Sequence, residues 1–536
     1  MDSYILLTGA TGLVGRYLVR DLLLEGERLA LVIRPSEREN VYERSEAILQ
    51  HWERELAMEL PRPVCLAGDV QQEGLGLSQA DRRWVAGHCD QVIHNAASLV
   101  FNGSDRREEP WTTNLDGTRH VLELCHGLRL PRLHYVSTAY VCGQRQGTIY
   151  EDELDCGQAF RNDYEHCKFL AEKLVREADF LDQRTVYRPA VIAGDSRTGY
   201  TNTYHGLYLY LKMMSVLVRG QDPDANGARH TPIRLHMSGD EPRNIVPVDW
   251  VGQVLSRLFL TPTAHGGTYH LAPVDPITPR QIIDAAYKYF NSYGVEYCGP
   301  GEKDRSLMND FERGVYDRMV AYESYDHTDP TFDTTNLIRF CADLPCPRID
   351  QAALHRYLEF GEADRWGKRK AKKVEVSFWA GEYLRSTLVD TNQVHRANGH
   401  ATNGNGNGKN GNSANGNGTN GLDNRTQAIG LNVAGAGGGS WTIALSNGHP
   451  VSLSEGLAKN CVHVASLPCP ELANLAQEEQ SNAYGRFQRA LSWQGQPVAE
   501  DLTRSLYRSL FPRTALLPPL LQTSDVGGRN PVPAKI

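Results

Sequence analysis

Tyr164 and Lys168 stand four residues apart in NDYEHCKFLAEKL, where the apolar spacing predicts a helix over 162–180. Four residues make about one helical turn, so the phenol and the ammonium share a face. Upstream, YVSTAYVCG at 135–143 closes a predicted strand on Ser137 and Thr138. A hydroxyl, a phenol and an amine suit a carbonyl whose oxygen gains negative charge: one group hydrogen-bonds it, one protonates it, and the cation tunes the donor. A phenol titrates at about 10, and a neighbouring ammonium favours the phenolate, drawing that value toward working pH. Such a Tyr/Lys pair also arises by chance, so its weight comes from its place in the chain. Cys167 sits between the two, with no histidine partner visible in the sequence, and reads as a small buried hydrophobe.

The preceding half offers a nucleotide site. TGATGLVG at 8–15 places Gly9, Gly12 and Gly15 between a predicted strand and a predicted helix. In that setting the first glycine permits a tight turn, the second admits a pyrophosphate to the backbone, and the third lets helix and strand close. A purely structural turn is the alternative. The second predicted strand ends in LVIRP, so Arg34 occupies the position where an acid would take both ribose hydroxyls. A cation there suits a 2′-phosphate, which favours NADP(H) over NAD(H); the competing reading is an exposed arginine after a strand.

These residues need a scaffold, and the apolar runs supply one. Strands are predicted at Tyr4–Thr8, Leu29–Ile33, Val64–Leu66, Gln91–His94, Leu133–Ser137 and Thr185–Tyr187, and helices at roughly 13–25, 40–58, 111–127 and 162–180. The alternation predicts an α/β Rossmann-type fold, a doubly wound parallel sheet with a nucleotide-binding core over about 1–195. A smaller substrate-binding portion is expected over about 196–370, within a domain spanning 1–390. There Tyr204, Leu207, Tyr208, Leu211 and Met214 recur at helical spacing and suit core packing or an acyl channel. An Asn/Gly-rich flexible linker is expected over 391–440, because it has too little apolar surface to offset ordering. A small C-terminal domain, 441–536, has predicted helices around 471–491 and 500–510 but no motif.

The 536 residues exceed one ordinary domain. With 56 Lys and Arg against 64 Asp and Glu, there is no basic excess to release counterions, which argues against nucleic acid as a partner. Eleven cysteines without a CxxC pair or a Cys/His cluster read as reduced thiols in a cytoplasmic protein, with no metal site. The N-terminus has no basic segment before its apolar run, so that run is expected to be a strand and not a leader. No apolar stretch is long enough to span a membrane. The basic run at 368–373 and the Phe378, Trp379, Tyr383, Leu384 cluster suit either peripheral membrane contact or a packed amphipathic helix.

LAGDVQQEGLGLS, HNAASLV followed by Phe101, WTTNLDGTRHVLEL, VYRPAVIAGDSRTG and NIVPVDWV, with the motifs above, extend from residue 4 to roughly 370. Together they resemble the extended short-chain dehydrogenase/reductases, in particular the thioester reductase and fatty acyl-CoA reductase branch with its "male sterility" NAD-binding domain. The resemblance implies that Thr11, Leu13, Asp69, Val70, Asn95, Ala96 and Ala97 join the glycines at the cofactor. It implies Thr138, Tyr164 and Lys168 as catalytic residues, with Ser137 a weaker candidate because the family's hydroxyl lies five before the glycine that is Gly143 here. Asn114 either organises the helix and a water, as that family implies, or makes a helix-end hydrogen bond. Members reduce acyl thioesters to aldehydes, and some go on to alcohols. No adenylation or carrier motif accompanies the domain, so acyl-CoA or an acyl-carrier protein is expected in trans. A steroid or sugar-nucleotide reductase or epimerase, and a nucleotide-bound scaffold or sensor, are the alternatives.

Overall fold

The computed structural model describes residues 3–301, 305–319, 328–369, 374, 376–388, 426–446, 449–458, 461, 463–477, 483–495, 498 and 500–511. The chain forms two compact units, Met1–Val374 and Glu375–Ile536.

The first unit opens with β1 (Tyr4–Thr8), α1 (Leu13–Leu24), β2 (Arg28–Ile33), α2 (Val41–Leu56), β3 (Val64–Ala67), α3 (Gln79–His88), β4 (Cys89–His94), α4 (Gly117–Leu128), β5 (Arg132–Val136), β6 (Thr148–Ile149), α5 (Asp163–Glu177) and β7 (Gln183–Pro189). It continues with β8 (Val191–Ala193), α6 (Leu207–Arg219), β9 (Arg229–Leu235), β10 (Ile245–Pro247), α7 (Val248–Phe259) and β11 (Thr268–Leu271). Then come α8 (Pro279–Phe290), β12 (Ser292–Tyr297), α9 (Asp310–Met319), β13 (Thr331–Phe332), α10 (Thr335–Cys341) and α11 (Gln351–Ala363).

Seven parallel strands form the central sheet in the order β11-β7-β5-β4-β1-β2-β3. All five residues of β1 are buried, as in a sheet covered on both faces. The strand order reverses between β1 and β4, where Thr8 faces His94 in register. Loops leaving the two strands part at that point and open a crevice at the carboxyl ends, the binding position of doubly wound sheets.

The nucleotide core does not end near residue 195. β11 completes the sheet beside β7, and Val251, Val254, Leu255 and Leu258 of α7 share one core with Tyr17 and Leu18 of α1. A four-residue edge strand carries too little pattern to be read from sequence, which is why this return was missed. Around it, α6, α8 and α11 pack through Leu207, Tyr208, Leu211, Ala285, Leu354 and Tyr357 into a separate core.

The second unit consists of α12 (380–388), β14 (Thr426–Ala434), β15 (Gly439–Ser446), β16 (His449–Glu455), β17 (His463–Pro468), α13 (Cys469–Gln477), α14 (Ala483–Ala490), β18 (Ser492–Gly495) and α15 (Glu500–Leu510). Its sheet runs β16-β15-β14-β17-β18, antiparallel except where β17 lies parallel to β14. Ile429, Leu431, Val433, Trp441, Ile443 and Leu445 alternate onto one face and pack with Leu384, Leu388, Phe487 and Leu510. Three expectations change here. The unit begins near 375 and not after 440, β14 occupies 426–434, and AGAGGGS turns the chain from β14 into β15 instead of prolonging a linker. The alternating AIGLNVA pattern decides for a strand over the local glycine content. Linker residues 391–425 lie outside the described residues, as does the basic run at 370–373. Phe378, Tyr383 and Leu384 pack into this unit's core, the amphipathic-helix alternative.

Candidate functional site

Gly9 has a φ of +74°, and a Cβ there would come 2.5 Å from the Ala96 nitrogen. A Cβ at Gly15 would run into the Gly9 carbonyl oxygen. The turn after β1 therefore closes on both the β4 loop and α1 only with glycine. At Gly12 a Cβ would meet Gly9 O alone, at 3.4 Å, and Gly12, Leu13, Asn95 and Ala97 all line one cavity. No side chain caps the N-terminus of α1. A glycine-lined crevice at an uncapped helix start fits a dinucleotide pyrophosphate.

The crevice is braced from below. His94 lies between Thr8 Oγ1 at 2.8 Å and Thr118 Oγ1 at 3.1 Å, and burial pushes its pKa down to about 3, so the ring is neutral. Asn95 donates through Nδ2 to Gly9 O at 3.1 Å, and the Ala96 amide donates to Thr8 Oγ1 at 3.3 Å. Ala96 thus braces the loop without lining the cavity. Val70 is buried in the sheet core, its carbonyl accepting from His120 Nδ1 at 2.9 Å, and it too lies off the cavity.

Beyond the β2 end, Arg34 is mostly exposed and stands 3.8 Å from Asp69. Asp69 Oδ1 accepts from the Gln71 amide at 3.1 Å, fixing the turn after β3. Arg44, on α2, donates to the Arg34 carbonyl and reaches Thr11 Oγ1 at 3.4 Å, while Arg16 Nε donates to Thr11 O at 3.3 Å. Burial first, and then the nearby Arg34 and Arg16, lower the Arg44 pKa, with Glu39 opposing them. The Arg44 and Arg16 guanidinium groups therefore both reach Thr11, and Arg34 lies near Arg44. The sequence pointed only to Arg34, because Arg44 becomes its neighbour only when α2 folds back over β2.

The candidate reacting groups lie at the end of β5 and on α5. Asn162 caps α5 by accepting the Glu165 amide at 2.9 Å, which places Tyr164 in the first turn. Tyr164, Lys168, Ser137 and Thr138 line the same cavity as Gly12 and Asn95. The Thr138 hydroxyl donates to Pro189 O at 3.4 Å and stands beside the Tyr164 phenol. Burial raises the Tyr164 pKa above its ordinary value, with Cys167 adding to the rise and Thr138 opposing it. Lys168 Nζ donates to Val136 O at 2.7 Å and sits over the Tyr135 ring. Burial brings the Lys168 pKa down to about 8.

The two hydroxyl candidates separate clearly. Ser137 donates to Glu172 Oε2 at 2.7 Å, and Glu172 forms a fully buried ion pair with Arg188 at 2.7 Å. Ser137 is engaged in that network, whereas Thr138 meets Tyr164. Asn114 holds structure: Oδ1 accepts from the Ser98 amide at 2.8 Å, and Nδ2 donates to Ser98 O at 3.1 Å and to Cys167 Sγ at 3.3 Å. It lies in a π-helical turn, Thr112–Asp116, ahead of α4 and off the cavity. Cys167 is fully buried, and burial pushes its thiol up to about 11, which keeps it protonated.

From this cluster the cavity, about 590 Å3, runs on between α6, β9, α8 and α9. Met213, Met214, Leu217, Ile233, Ile282 and Phe311 wall that part. Helix α6 serves two faces: Leu211 packs inward and Met214 lines the cavity, while Leu207 and Tyr208 do both. Tyr204 packs against that core, off the cavity, and its hydroxyl donates to Asp364 at 2.5 Å. Among the described residues no helix is long and apolar enough to cross a membrane, and no group of three His, Cys, Asp or Glu is placed to hold a metal.

A doubly wound sheet with a glycine turn at its switch point and a Thr/Tyr/Lys cluster beside it defines a nucleotide-dependent oxidoreductase. Residues 7–255, just under half of the chain, match the male sterility protein family of NAD-binding domains. It is 26% identical over 398 residues to a non-canonical nonribosomal peptide synthetase of Aspergillus hancockii, covering 67% of this chain and 36% of that one. A putative fatty acyl-CoA reductase of Drosophila melanogaster is 37% identical over 147 residues, 26% of this chain and 28% of that one. The solved terminal R domain of the myxalamid PKS-NRPS pathway superposes with a TM-score of 0.56 at 25% identity, covering 68% of this chain and 92% of that one. The chain thus spans about a third of the length of the synthetase it matches.

Proposed function

We propose that the first unit reduces an acyl thioester to an aldehyde with NADPH, taking its acyl group from CoA or from a carrier protein in trans. The observation that carries this reading is one cavity joining the glycine turn, the Thr138/Tyr164/Lys168 cluster and an apolar chamber. Nonribosomal peptide synthetases among the relatives support the thioester, and the apolar chamber supports an acyl chain.

Gly12 would admit the pyrophosphate in the turn that Gly9 and Gly15 shape, with Leu13 and Asn95 alongside, and Arg34 with Arg44 and Arg16 would take the 2′-phosphate, whose charge relieves their mutual repulsion. The bound cofactor supplies a hydride to the thioester carbon. Thr138 and Tyr164 hydrogen-bond the carbonyl oxygen, and Tyr164, kept protonated by burial, gives its proton to that oxygen as charge develops. Lys168, cationic below about pH 8, balances the phenolate left behind. The resulting hemithioacetal collapses: its C–S bond breaks, thiol departs, and aldehyde remains. Asn114 and Ser137 position the elements around these groups.

Purified protein should oxidise NADPH with acyl-CoA or acyl-carrier thioesters, releasing one thiol per aldehyde. Absence of oxidation across a chain-length panel, with NADPH binding intact, would sink the proposal. Turnover of a sterol ketone or a sugar nucleotide instead would move the site to another substrate class.

A further inference from the structure

The second unit holds a cavity of its own, about 370 Å3, between α12 and strands β15 and β16. Leu388, Trp441, Pro450 and Leu453 supply apolar walls. Arg385 and Glu455 also border it and form an ion pair at 3.2 Å, so the border carries balanced charge.

Trp441 makes this more than a packing gap. It is 4% exposed, yet its indole N–H has no hydrogen-bond partner among the described residues. Buried donors are nearly always paired, because an unpaired one forfeits its hydration without return. The ring is also held in place. A Cβ at Gly439 would come 2.7 Å from Trp441 Cη2, and one at Gly381 would come 3.3 Å from Cζ2, so backbone closes on that edge of the indole. On β15, Trp441 faces Leu431 of β14 and Glu455 of β16 in register. The recess thus joins apolar walls to a buried indole whose N–H is unanswered, with Ser452 also on its border.

We propose that this recess binds a small amphipathic molecule: an apolar chain bearing a hydrogen-bond acceptor such as a carboxylate, carbonyl or hydroxyl oxygen. The chain lies against Leu388, Pro450 and Leu453, and the acceptor takes the Trp441 N–H. Because Arg385 already faces Glu455, selection rests on the acceptor and the apolar body and not on net charge. The site uses no residue of the first unit and stands whether or not that unit reduces thioesters.

A photoreactive diazirine analogue of dodecanoic acid, cross-linked to the full chain and located by peptide mass spectrometry, tests the proposal. Label is expected on the peptides spanning 380–388 and 439–455, and unlabelled dodecanoic acid should displace it. Leu453→Trp fills the recess and should lower that label about tenfold, whereas Trp441→Phe keeps an aromatic ring, removes the donor and should lower it about fivefold. A diazirine hydrocarbon of equal length should be captured equally by the native chain and by Trp441→Phe. Label confined to the first unit, label that dodecanoic acid does not displace, or equal loss of both probes in Trp441→Phe would overturn the assignment. Should Leu453→Trp fail to melt cooperatively, displacement from the native chain and the Trp441→Phe comparison decide.

Discussion

The two ends of the first unit's cavity are built by different means. At the cofactor end, each group is fixed by a partner: Thr138 by Pro189 O, Lys168 by Val136 O, Ser137 by Glu172, Asn95 by Gly9 O. At the far end, methionine, leucine, isoleucine and phenylalanine side chains from α6, β9, α8 and α9 form the wall. One end holds atoms at hydrogen-bond precision, and the other offers volume. Chemistry and substrate choice should therefore fail separately when each end is altered.

The largest effect should come from Tyr164→Phe, which removes the proposed acid and leaves the ring. Its kcat/KM should fall roughly a thousandfold with little change in NADPH affinity, as stopped-flow binding and steady-state rates would show. Retention of full turnover would remove Tyr164 from the mechanism. Glu172→Ala should cost about 3–5 kcal/mol of stability, because it strands the fully buried Arg188 cation; chemical denaturation measures this. A loss below about 1 kcal/mol would mean that water or another group compensates.

Smaller effects sharpen the contrast. Arg34→Ala combined with Arg44→Ala should raise KM for NADPH about thirtyfold and leave KM for NADH nearly unchanged. Equal loss for both cofactors would argue against a 2′-phosphate site. The pH dependence carries two opposite signs. Lys168 loses its charge as pH rises past about 8, so kcat/KM should decline about tenfold per unit above that value. Stability should move the other way. The folded pKa lies below the unfolded 10.5, so the unfolded chain holds more protons between about 8 and 10.5, and the cost of burying the ammonium fades across that window. The mildest change is Met214→Trp, which narrows the apolar end. It should shift preference about fivefold toward shorter acyl chains while kcat on the shortest stays constant.

The same contrast explains how much the sequence disclosed. Glycine at three spaced positions and Tyr164 one turn before Lys168 follow from covalent and helical geometry, so the sheet's first six strands and the polar end were legible. The apolar end was only partly legible, since Ile233, Ile282 and Phe311 carry no motif and meet only through tertiary packing. Arg44 escaped for the same reason. Tyr164 lines the cavity, but the direction of its pKa was not legible, because it follows from burial, which only tertiary packing sets. In the second unit the glycine-rich composition around β14 and β15 masked a strand alternation that burial enforces.

The central claim is that the polar end delivers hydride and proton to a thioester carbonyl. NADPH carrying deuterium at its transferable position, incubated with an acyl-CoA, tests this directly by mass spectrometry of the product and a thiol assay. The account predicts an aldehyde with one deuterium on its carbonyl carbon, or an alcohol derived from it, and one CoA thiol released per aldehyde formed. Thiol release without deuterium transfer, or deuterium transfer without thiol release, would contradict it.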